Sequence, residues 1–384
     1  MHQQTTPLLR LSLLLLSAMG VMSGIAIVAA LPLIGHHFHD VKNIDFLSKL
    51  LLTIPSIMVA LFAPIAGVVI DKIGRLKPLY LGIVLFVVGG SSGYFLDHFY
   101  AILVGRALLG LSVALIMTAS LALIGDYFDD TERHKFMSTQ GMFVGLSGIV
   151  FILSGGFLAE RGWNYPFLIY ALPLLFLPLL IRTLKEPNHL HHKHNEEESI
   201  KVNLLPVYAT GFFSMLLFYM LPTQLPYLII NELGGSPSLV SYLIASSMLL
   251  TALVSKQYHH LKARFNFAQI FMITYFFFAL GLFTISQVTT YYQLFFAALF
   301  MGGGFGLVTV NINTWLLSLV HAKKRGRAVG LLTSSFFFGQ FFSPILFEPI
   351  ISCFGIQGLF FIISMLSLLI VFSIYLKLRF LKKR

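Results

Sequence analysis

Long apolar runs separated by short polar connections fill the chain from end to end. Each run has about 20 residues, the length of helix that crosses the hydrocarbon core of a bilayer. Six runs precede a polar stretch near residue 190 and six follow it, so the pattern predicts twelve transmembrane helices. The runs cover residues 11–33, 47–70, 78–96, 100–125, 137–158, 166–181, 204–230, 237–255, 266–286, 292–320, 328–351 and 357–375.

The composition excludes a water-soluble fold. Of the 384 residues, 57% are hydrophobic and only 11% are charged, against about 25% charged in an average soluble domain. We therefore predict an all-α integral membrane protein with two pseudo-symmetric six-helix bundles, residues 1–182 and 204–384. Residues 183–203 are expected to form a cytoplasmic linker, either a simple polar tether or a transition-metal site. Its candidate residues are His189, His191, His192, His194, Glu196, Glu197 and Glu198.

The Lys and Arg residues predict the orientation of the helices. If the crossings alternate, 22 of the 26 basic residues lie on the side of the two termini, and only Lys42, Lys49 and Arg161 lie in the opposite loops. Because basic residues accumulate in cytoplasmic loops, both termini are expected in the cytoplasm. The protein is expected to lie in the inner (plasma) membrane of the cell. The net charge of +11 is then a topology signal, and no nucleic-acid partner is expected.

The two halves of the sequence repeat one another. Arg133 opens the fifth apolar run as Arg325 opens the eleventh, a shift of 192 residues, and Gly110 and Gly306 hold similar places in the fourth and tenth runs. Two related six-helix bundles with a binding site between them are typical of secondary transporters. A pore or a membrane enzyme does not require this duplication.

A charged motif stands between the second and third predicted helices. Its residues are Gly67, Asp71, Lys72, Gly74, Arg75 and Lys77. They resemble the signature G-x-x-x-D-[RK]-x-G-R-[RK] of the major facilitator superfamily, except that the last basic residue is displaced by one place. The resemblance implies a cytoplasmic gate that closes when the outside is open, with the arginine paired to an acid at the end of helix four. The alternative is a basic topogenic loop with a chance aspartate. In this sequence the acid at the end of helix four is Asp126.

Arg106 lies inside the fourth predicted helix and, with Gly110, resembles a second motif of the same family, R-x-x-x-G. An arginine at membrane depth is costly, about 2.5–3.5 kcal/mol on insertion scales, so it normally faces a cavity or a partner. We expect either a coupling role towards an acid or an anionic substrate, or snorkelling of the side chain to the outer surface. The antiporter pattern expected in helix five is incomplete, because Phe151 and Ile152 stand where glycine and proline would be.

Polar residues in the second half are candidates for a substrate or coupling pathway. Pro222 and Pro226 flank Gln224 and are expected to interrupt the seventh helix, which frees backbone carbonyls beside a cavity. Each polar candidate could equally join helices by hydrogen bonds. The one acid among them, Glu348, lies near the outer end of its helix and could either carry a proton or simply face water. The candidates are Gln224, Asn311, Asn313, Gln340 and Glu348.

The resemblance covers nearly the whole chain and is strongest to the twelve-helix bacterial drug and metabolite exporters. It implies alternating access and export of small lipophilic compounds or metabolites, with protons as a coupling ion. Uptake of a small nutrient or organic anion by symport is the alternative, and a sensor without transport is a remote one. The expected partners are a small-molecule substrate and the lipid bilayer. We expect a monomer that is not an enzyme and uses no cofactor or structural metal.

Overall fold

The computed structural model describes residues 6–187, 203–320 and 325–382. All the regular secondary structure of this part of the chain is helical, so the predicted all-α membrane fold is confirmed. The chain divides into two compact units, Met1–Ser199 and Ile200–Arg384. The bundle limits predicted at residues 182 and 204 remain a prediction. The histidines and the glutamate run of the predicted linker, residues 189–198, lie outside the described residues.

The described residues of the first unit form seven α-helices, of which the first two join into one crossing. A 3₁₀ turn at Val28–Ala30 joins the first two helices into one crossing, Pro7–His37. A second 3₁₀ turn, Tyr165–Ala171, leads into the last helix. The helices of this unit are α1 Pro7–Ile25, α2 Leu31–His37, α3 Ile44–Ile73, α4 Leu76–Phe95, α5 Phe99–Tyr127, α6 Asp130–Ala159 and α7 Pro173–Thr183.

The described residues of the second unit form six α-helices. The last is broken at Gly355, whose φ of 72° and ψ of 176° are not helical, so it supplies two crossings. With that break counted, the eleven long apolar helices of the described residues account for twelve crossings. The helices of this unit are α8 Leu205–Phe218, α9 Met220–Tyr227, α10 Pro237–Arg264, α11 Phe267–Ser286, α12 Leu294–Leu319 and α13 Arg325–Lys382.

Two predicted helix limits were wrong for local reasons. Helix α6 begins at Asp130, seven residues before the predicted start, because the carboxylate of Asp129 caps it by accepting the Glu132 N–H at 3.0 Å. Helix α10 continues nine residues past Ser255, because polar residues end the apolar run without ending the helix. In the seventh crossing the break falls at Tyr219, and Pro222 lies in the first turn of α9, where its missing N–H needs no partner.

Glycines let corresponding helices approach closely in both units. A methyl group added at Gly110 of α5 would lie 2.6 Å from the carbonyl oxygen of Pro55 in α3. One added at Gly306 of α12 would lie 2.6 Å from the carbonyl oxygen of Thr251 in α10. The two pairs are separated by the same 55 residues, and such contacts replace hydrophobic association between helices inside lipid. The predicted repeat is therefore visible in the packing as well as in the sequence.

Aromatic packing closes the end of the first unit that bears the connection between α2 and α3. The Nε2 atom of His37 lies 2.6 Å from the Oδ1 atom of Asp97, and the His37 ring stacks on Trp163 with centroids 4.5 Å apart. Phe38 packs edge-on against both Trp163 and Phe99. These contacts join three loops. Among the described residues no group of three His, Cys, Asp or Glu side chains is arranged to hold a metal ion.

Candidate functional site

The turn between α3 and α4 is built around one arginine. Helix α3 ends at Ile73, Gly74 reverses the chain with a φ of 97° that favours glycine, and Arg75 precedes α4. The Arg75 guanidinium donates from Nη1 to Asp71 Oδ1 at 3.0 Å and from Nε to Asp126 Oδ2 at 3.1 Å. Nη1 also donates to the Ile70 carbonyl oxygen at 3.1 Å. The structure thus brings Asp71, Arg75 and Asp126 together, as the sequence resemblance implies.

The two acids of this cluster differ in their exposure to water. The Arg75 side chain is only 9% exposed and that of Asp126 only 12%, whereas the Asp71 side chain is 59% exposed. A charge-assisted bond shielded from water is stronger than one that water and salt can screen. Removing one member of a buried pair leaves an uncompensated charge and costs about 3–5 kcal/mol, while exposed pairs contribute about 0–1 kcal/mol. The pair with Asp126 therefore holds the arginine, and the pair with Asp71 is the weaker one.

Glu186 is part of the same cluster and was not among the predicted residues. Its carboxylate accepts the backbone N–H groups of Arg75 and Leu76, the latter at 2.9 Å. Helix α4 has no acid in its first turn and no side-chain cap of its own. A carboxylate at that position satisfies free N–H groups and complements the positive end of the helix dipole. Glu186 therefore caps α4 from a position 110 residues away in sequence.

The segment that follows α7 is bound to the end of α5 as well. The Tyr127 hydroxyl donates to the carbonyl oxygen of Lys185 and accepts the Lys185 N–H at 2.9 Å. In addition, the Tyr80 hydroxyl donates to the carbonyl oxygen of Leu180 at 3.4 Å. These neutral bonds place Glu186 beside the turn. In the sequence, Glu186 is recognisable only as an acid directly after the sixth crossing. No neighbouring residue connects this acid with a turn 110 residues earlier.

The remaining residues of the motif have simpler surroundings. Lys72 and Lys77 are exposed, and a side chain at Gly67 would just touch Thr118 of α5. A methyl group at Gly74 would lie 2.8 Å from Glu186 Oε1, so the glycine is required by both its φ and its neighbour. The structure therefore assigns the ionic contacts of the motif to Asp71 and Arg75.

Arg106 is completely buried, so the expectation that it snorkels to the outer surface is wrong. Its Nε donates to the Leu51 carbonyl oxygen at 2.7 Å and its Nη2 to the Ser23 carbonyl oxygen at 2.8 Å. The guanidinium carbon lies 5.1 Å from the centre of the Tyr170 ring. Arg106 thus joins α1, α3 and α5 through backbone carbonyls. Its Nη1 is buried without a hydrogen-bond partner among the described residues.

Gln224 in α9 is completely buried, and neither atom of its side-chain amide has a hydrogen-bond partner within the described part of the chain. Its neighbour Thr223 is satisfied, since its hydroxyl donates to the Tyr219 carbonyl oxygen at 2.6 Å. Buried polar groups are normally paired, and an unpaired amide is therefore a sign of a functional position. Of the predicted pathway residues, Gln224 is therefore the best candidate for a hydrogen bond to a ligand, because both atoms of its amide are unpaired among the described residues.

Asn311 instead makes a hydrogen-bonded junction between three helices. Its Oδ1 accepts the Tyr258 hydroxyl of α10 at 2.8 Å, and its Nδ2 donates to the Phe267 carbonyl oxygen of α11 at 3.1 Å. Asn313 donates from Nδ2 to the Thr309 carbonyl oxygen of its own helix at 2.8 Å. The bonds of Asn311 match the alternative in which polar residues join helices, whereas the bond of Asn313 stays within one helix. Gln340 and Glu348 are half-buried on α13, and their role in a pathway stays a prediction.

Comparison with protein-family models identifies one family over both halves of the chain. The model described as Major Facilitator Superfamily matches residues 11–209 and again residues 207–384. Among curated proteins, the quinolone resistance protein NorB of Staphylococcus aureus is 27% identical over 164 residues, which is 42% of this chain and 34% of that protein. The probable vesicular acetylcholine transporter-A of Danio rerio is 27% identical over 148 residues, 38% of this chain and 29% of that protein. The matches thus span about a third of these relatives.

Solved structures show the same fold over almost the whole chain. A bacterial homolog of the human lysosomal transporter Spinster, inward-facing and occupied, superposes with a TM-score of 0.79 over 98% of this chain and 97% of that one, at 17% identity. The nucleoside transporter NupG gives a TM-score of 0.77 at 12% identity, covering 95% of this chain and 98% of that chain. A D-xylose-proton symporter gives 0.70 at 14% identity, covering 93% and 97%. At these identities the likeness concerns the fold alone.

Proposed function

Because the chain belongs to the major facilitator superfamily, we propose that it is a secondary active transporter that moves small lipophilic compounds or metabolites out of the cell by alternating access. The observation that carries the mechanism is the pairing of Arg75 with both Asp71 and Asp126 at the turn between α3 and α4. The direction of transport is supported by the local similarity to a quinolone resistance protein. Protons moving inwards are the proposed coupling ion.

The charged cluster acts in this proposal as a gate latch. Arg75 stays bound to Asp126, which is shielded from water, while the exposed Asp71 can release and rebind it. Exposed ion pairs contribute little, about 0–1 kcal/mol, so they can break and form again in each transport cycle. Glu186 and Gly74 fix the start of α4 and so keep Arg75 within reach of its two acids. We place this latch on the cytoplasmic side of an inner membrane, together with both termini.

Substrate contact is proposed for Gln224. Its amide is buried and unpaired within the described residues, so a bound compound with a polar group would satisfy it and lower its desolvation cost. Uptake of an organic anion was favoured by Arg106, but two of the three guanidinium nitrogens of Arg106 are bonded to backbone carbonyls. That leaves the anion symporter with less support than the exporter.

The direction of transport is tested with purified protein in proteoliposomes under an imposed pH gradient. A panel of fluorescent lipophilic compounds, including quinolones, is followed with the gradient in each direction. Exchange of compound against protons supports the exporter, and movement of compound together with protons contradicts it. Absence of flux for the whole panel and for sugars, nucleosides and organic anions contradicts transport as a whole.

The latch is tested with Asp71→Asn, which keeps the side-chain shape but removes the charge. We expect the transport rate to fall about two- to fivefold, because an exposed ion pair of this kind contributes up to about 1 kcal/mol and Arg75 loses its exchangeable partner. Asp40→Asn, at an exposed position that pairs with His39 in an outer loop, is the control and should transport normally. An unchanged rate for Asp71→Asn in a well-inserted protein would contradict the latch.

A further inference from the structure

The two units carry very different net charges. Residues 1–199 contain 13 Lys and Arg residues and 13 Asp and Glu residues, whereas residues 200–384 contain 13 basic residues and only two acids, Glu232 and Glu348. The second unit therefore accounts for the whole net charge of +11. A cytoplasmic bias in basic residues suffices to orient a membrane protein, and acids have little influence on it. Topology alone thus does not explain why the second unit has only two acids.

The two acids of the second unit also lie far from its basic end. Glu232 ends the crossing Leu205–Glu232, and α10 then returns across the membrane to Arg264. Glu348 is 21 residues beyond Arg327 in α13, about 30 Å along a helix. In the described part of this unit, neither acidic side chain is therefore placed to neutralise the basic side chains of the last residues of α10 and α13.

The end of α10 is amphipathic. Tyr258 is buried against Ile270 and Leu307, and this packing fixes the helix beyond the apolar run. On the exposed face of this helix, residues follow one another at intervals of three or four positions. They are Leu249, Leu253, Lys256, His260 and Arg264. The face that carries exposed leucines along the crossing therefore continues into cationic side chains. A lipid lying against those leucines would have its headgroup at the height of the cations.

The end of α13 repeats this arrangement. Lys377 and Arg379 are exposed, and they stand next to the exposed aromatic residues Tyr375 and Phe380. Tyrosine and other aromatic residues are enriched where the bilayer meets water. Because the crossings alternate within the unit, the last residues of α10 and α13 lie at the same side of the membrane. We call Lys256, Lys262, Arg264, Lys377 and Arg379 the basic rim.

We infer that the basic rim of the second unit binds the phosphate headgroups of anionic phospholipids, such as phosphatidylglycerol. Lys and Arg side chains next to a membrane surface attract anionic lipids, each by about 1 kcal/mol, or about fivefold in affinity. The continuity between lipid-facing leucines and the cations favours a lipid over a soluble acidic protein. The first unit, with equal numbers of basic and acidic residues, does not share this property.

The test uses the full-length protein in detergent and measures lipid binding, so it is independent of transport. Phosphatidylglycerol and phosphatidylcholine with the same acyl chains are titrated, and the bound fraction is read by native mass spectrometry. The double variant K256Q/R264Q should bind phosphatidylglycerol about 25-fold more weakly than the unmodified protein, with binding of phosphatidylcholine unchanged. The control K135Q/R182Q removes one lysine and one arginine, both exposed, from the corresponding end of the first unit and should bind normally.

Several outcomes would overturn the inference. The unmodified protein could bind the two lipids equally, or both double variants could lose phosphatidylglycerol to the same extent, which would indicate a general effect of net charge. Soluble poly-glutamate could bind the unmodified protein as tightly as phosphatidylglycerol does, and K256Q/R264Q could lose both ligands. That result would indicate an acidic protein as the partner. If K256Q/R264Q does not fold, as judged by gel filtration, K377Q/R379Q provides the same comparison at the other end of the rim.

Discussion

The turn between α3 and α4 and the turn between α10 and α11 hold corresponding places in the two units, but different chemistry stabilises them. In the first unit Arg75 is held by carboxylates, and the cap of α4 comes from the distant Glu186. In the second unit Asn266 caps α11 locally through a capping box with Gln269. Asn311 completes that end by binding Tyr258 and the Phe267 carbonyl.

This difference separates a contact that can switch from one that is permanent. An ion pair that water reaches can open at low cost, because both charges are solvated again when it breaks. A buried neutral hydrogen bond cannot open without leaving its polar groups unsatisfied, at about 1–3 kcal/mol for each group. We therefore expect mutations in the first turn to affect transport and mutations in the second to affect stability. The following predictions test that division.

The largest effect is expected for Arg75→Gln. Without the guanidinium, Asp126 is left as a largely buried carboxylate with no counter-ion, a loss of about 3–5 kcal/mol. Transport in proteoliposomes should fall by at least about a hundredfold. Arg75→Lys should recover part of the rate, because lysine keeps the charge but cannot bind both acids with a planar fork. Arg182→Gln, at an exposed position, is the control, and a normal rate for Arg75→Gln would remove the distinction between the turns.

A smaller effect, on stability alone, is expected for Asn311→Leu. The leucine has a similar volume but removes the hydrogen bonds of Asn311 with the Tyr258 hydroxyl and the Phe267 carbonyl oxygen. The free energy of unfolding in detergent should fall by about 1–3 kcal/mol, while the transport rate per folded molecule stays within about twofold. Asn313→Leu, where the amide bonds only to its own helix, should change stability by no more than about 0.5 kcal/mol. A large loss of transport by folded Asn311→Leu protein would contradict the comparison.

Glu186→Gln should have an intermediate character. The glutamine can still accept one backbone N–H, but it loses the charge that complements the end of α4. We expect a stability loss of about 1 kcal/mol, as for other helix caps, together with a reduction of transport, because Arg75 is then held less well. Glu160→Gln, at an exposed position in the first unit, serves as the matched control. Transport at the normal rate would show that the cap is purely structural.

The smallest effect is the response of backbone amides to salt. The Leu76 amide is held by the Glu186 carboxylate and the Gln269 amide by the neutral Asn266 side chain. Raising the sodium chloride concentration from about 0.05 to 1 M shortens the screening length from above 10 Å to about 3 Å. Hydrogen exchange should then become about two- to fivefold faster at Leu76 and stay unchanged at Gln269. An equal change at both amides would mean that the two turns do not differ electrostatically.

Part of the site could be predicted because its signal lies in neighbouring residues. Asp71 and Arg75 are four apart on one turn, and the family resemblance supplied Asp126. Glu186 had no such signal, since its partners are backbone N–H groups, which every residue except proline possesses. For the same reason the sequence could not show that Arg106 would bind the carbonyl oxygens of Ser23 and Leu51. Asn311 was ambiguous, because an asparagine in a helix has the same sequence pattern whether it meets a substrate or a neighbouring helix.

The sequence by itself determined the number of crossings, their approximate limits, the repeat of the two halves and the uneven distribution of charge. These properties depend on hydropathy and length, which are read along one dimension of the chain. The tertiary structure alone decided which polar groups meet: the cap of α4 by Glu186, the enclosure of Arg106 and the junction at Asn311. Such contacts join residues that are 44 to 111 positions apart in the sequence. Only the packing of the helices brings these residues together in space.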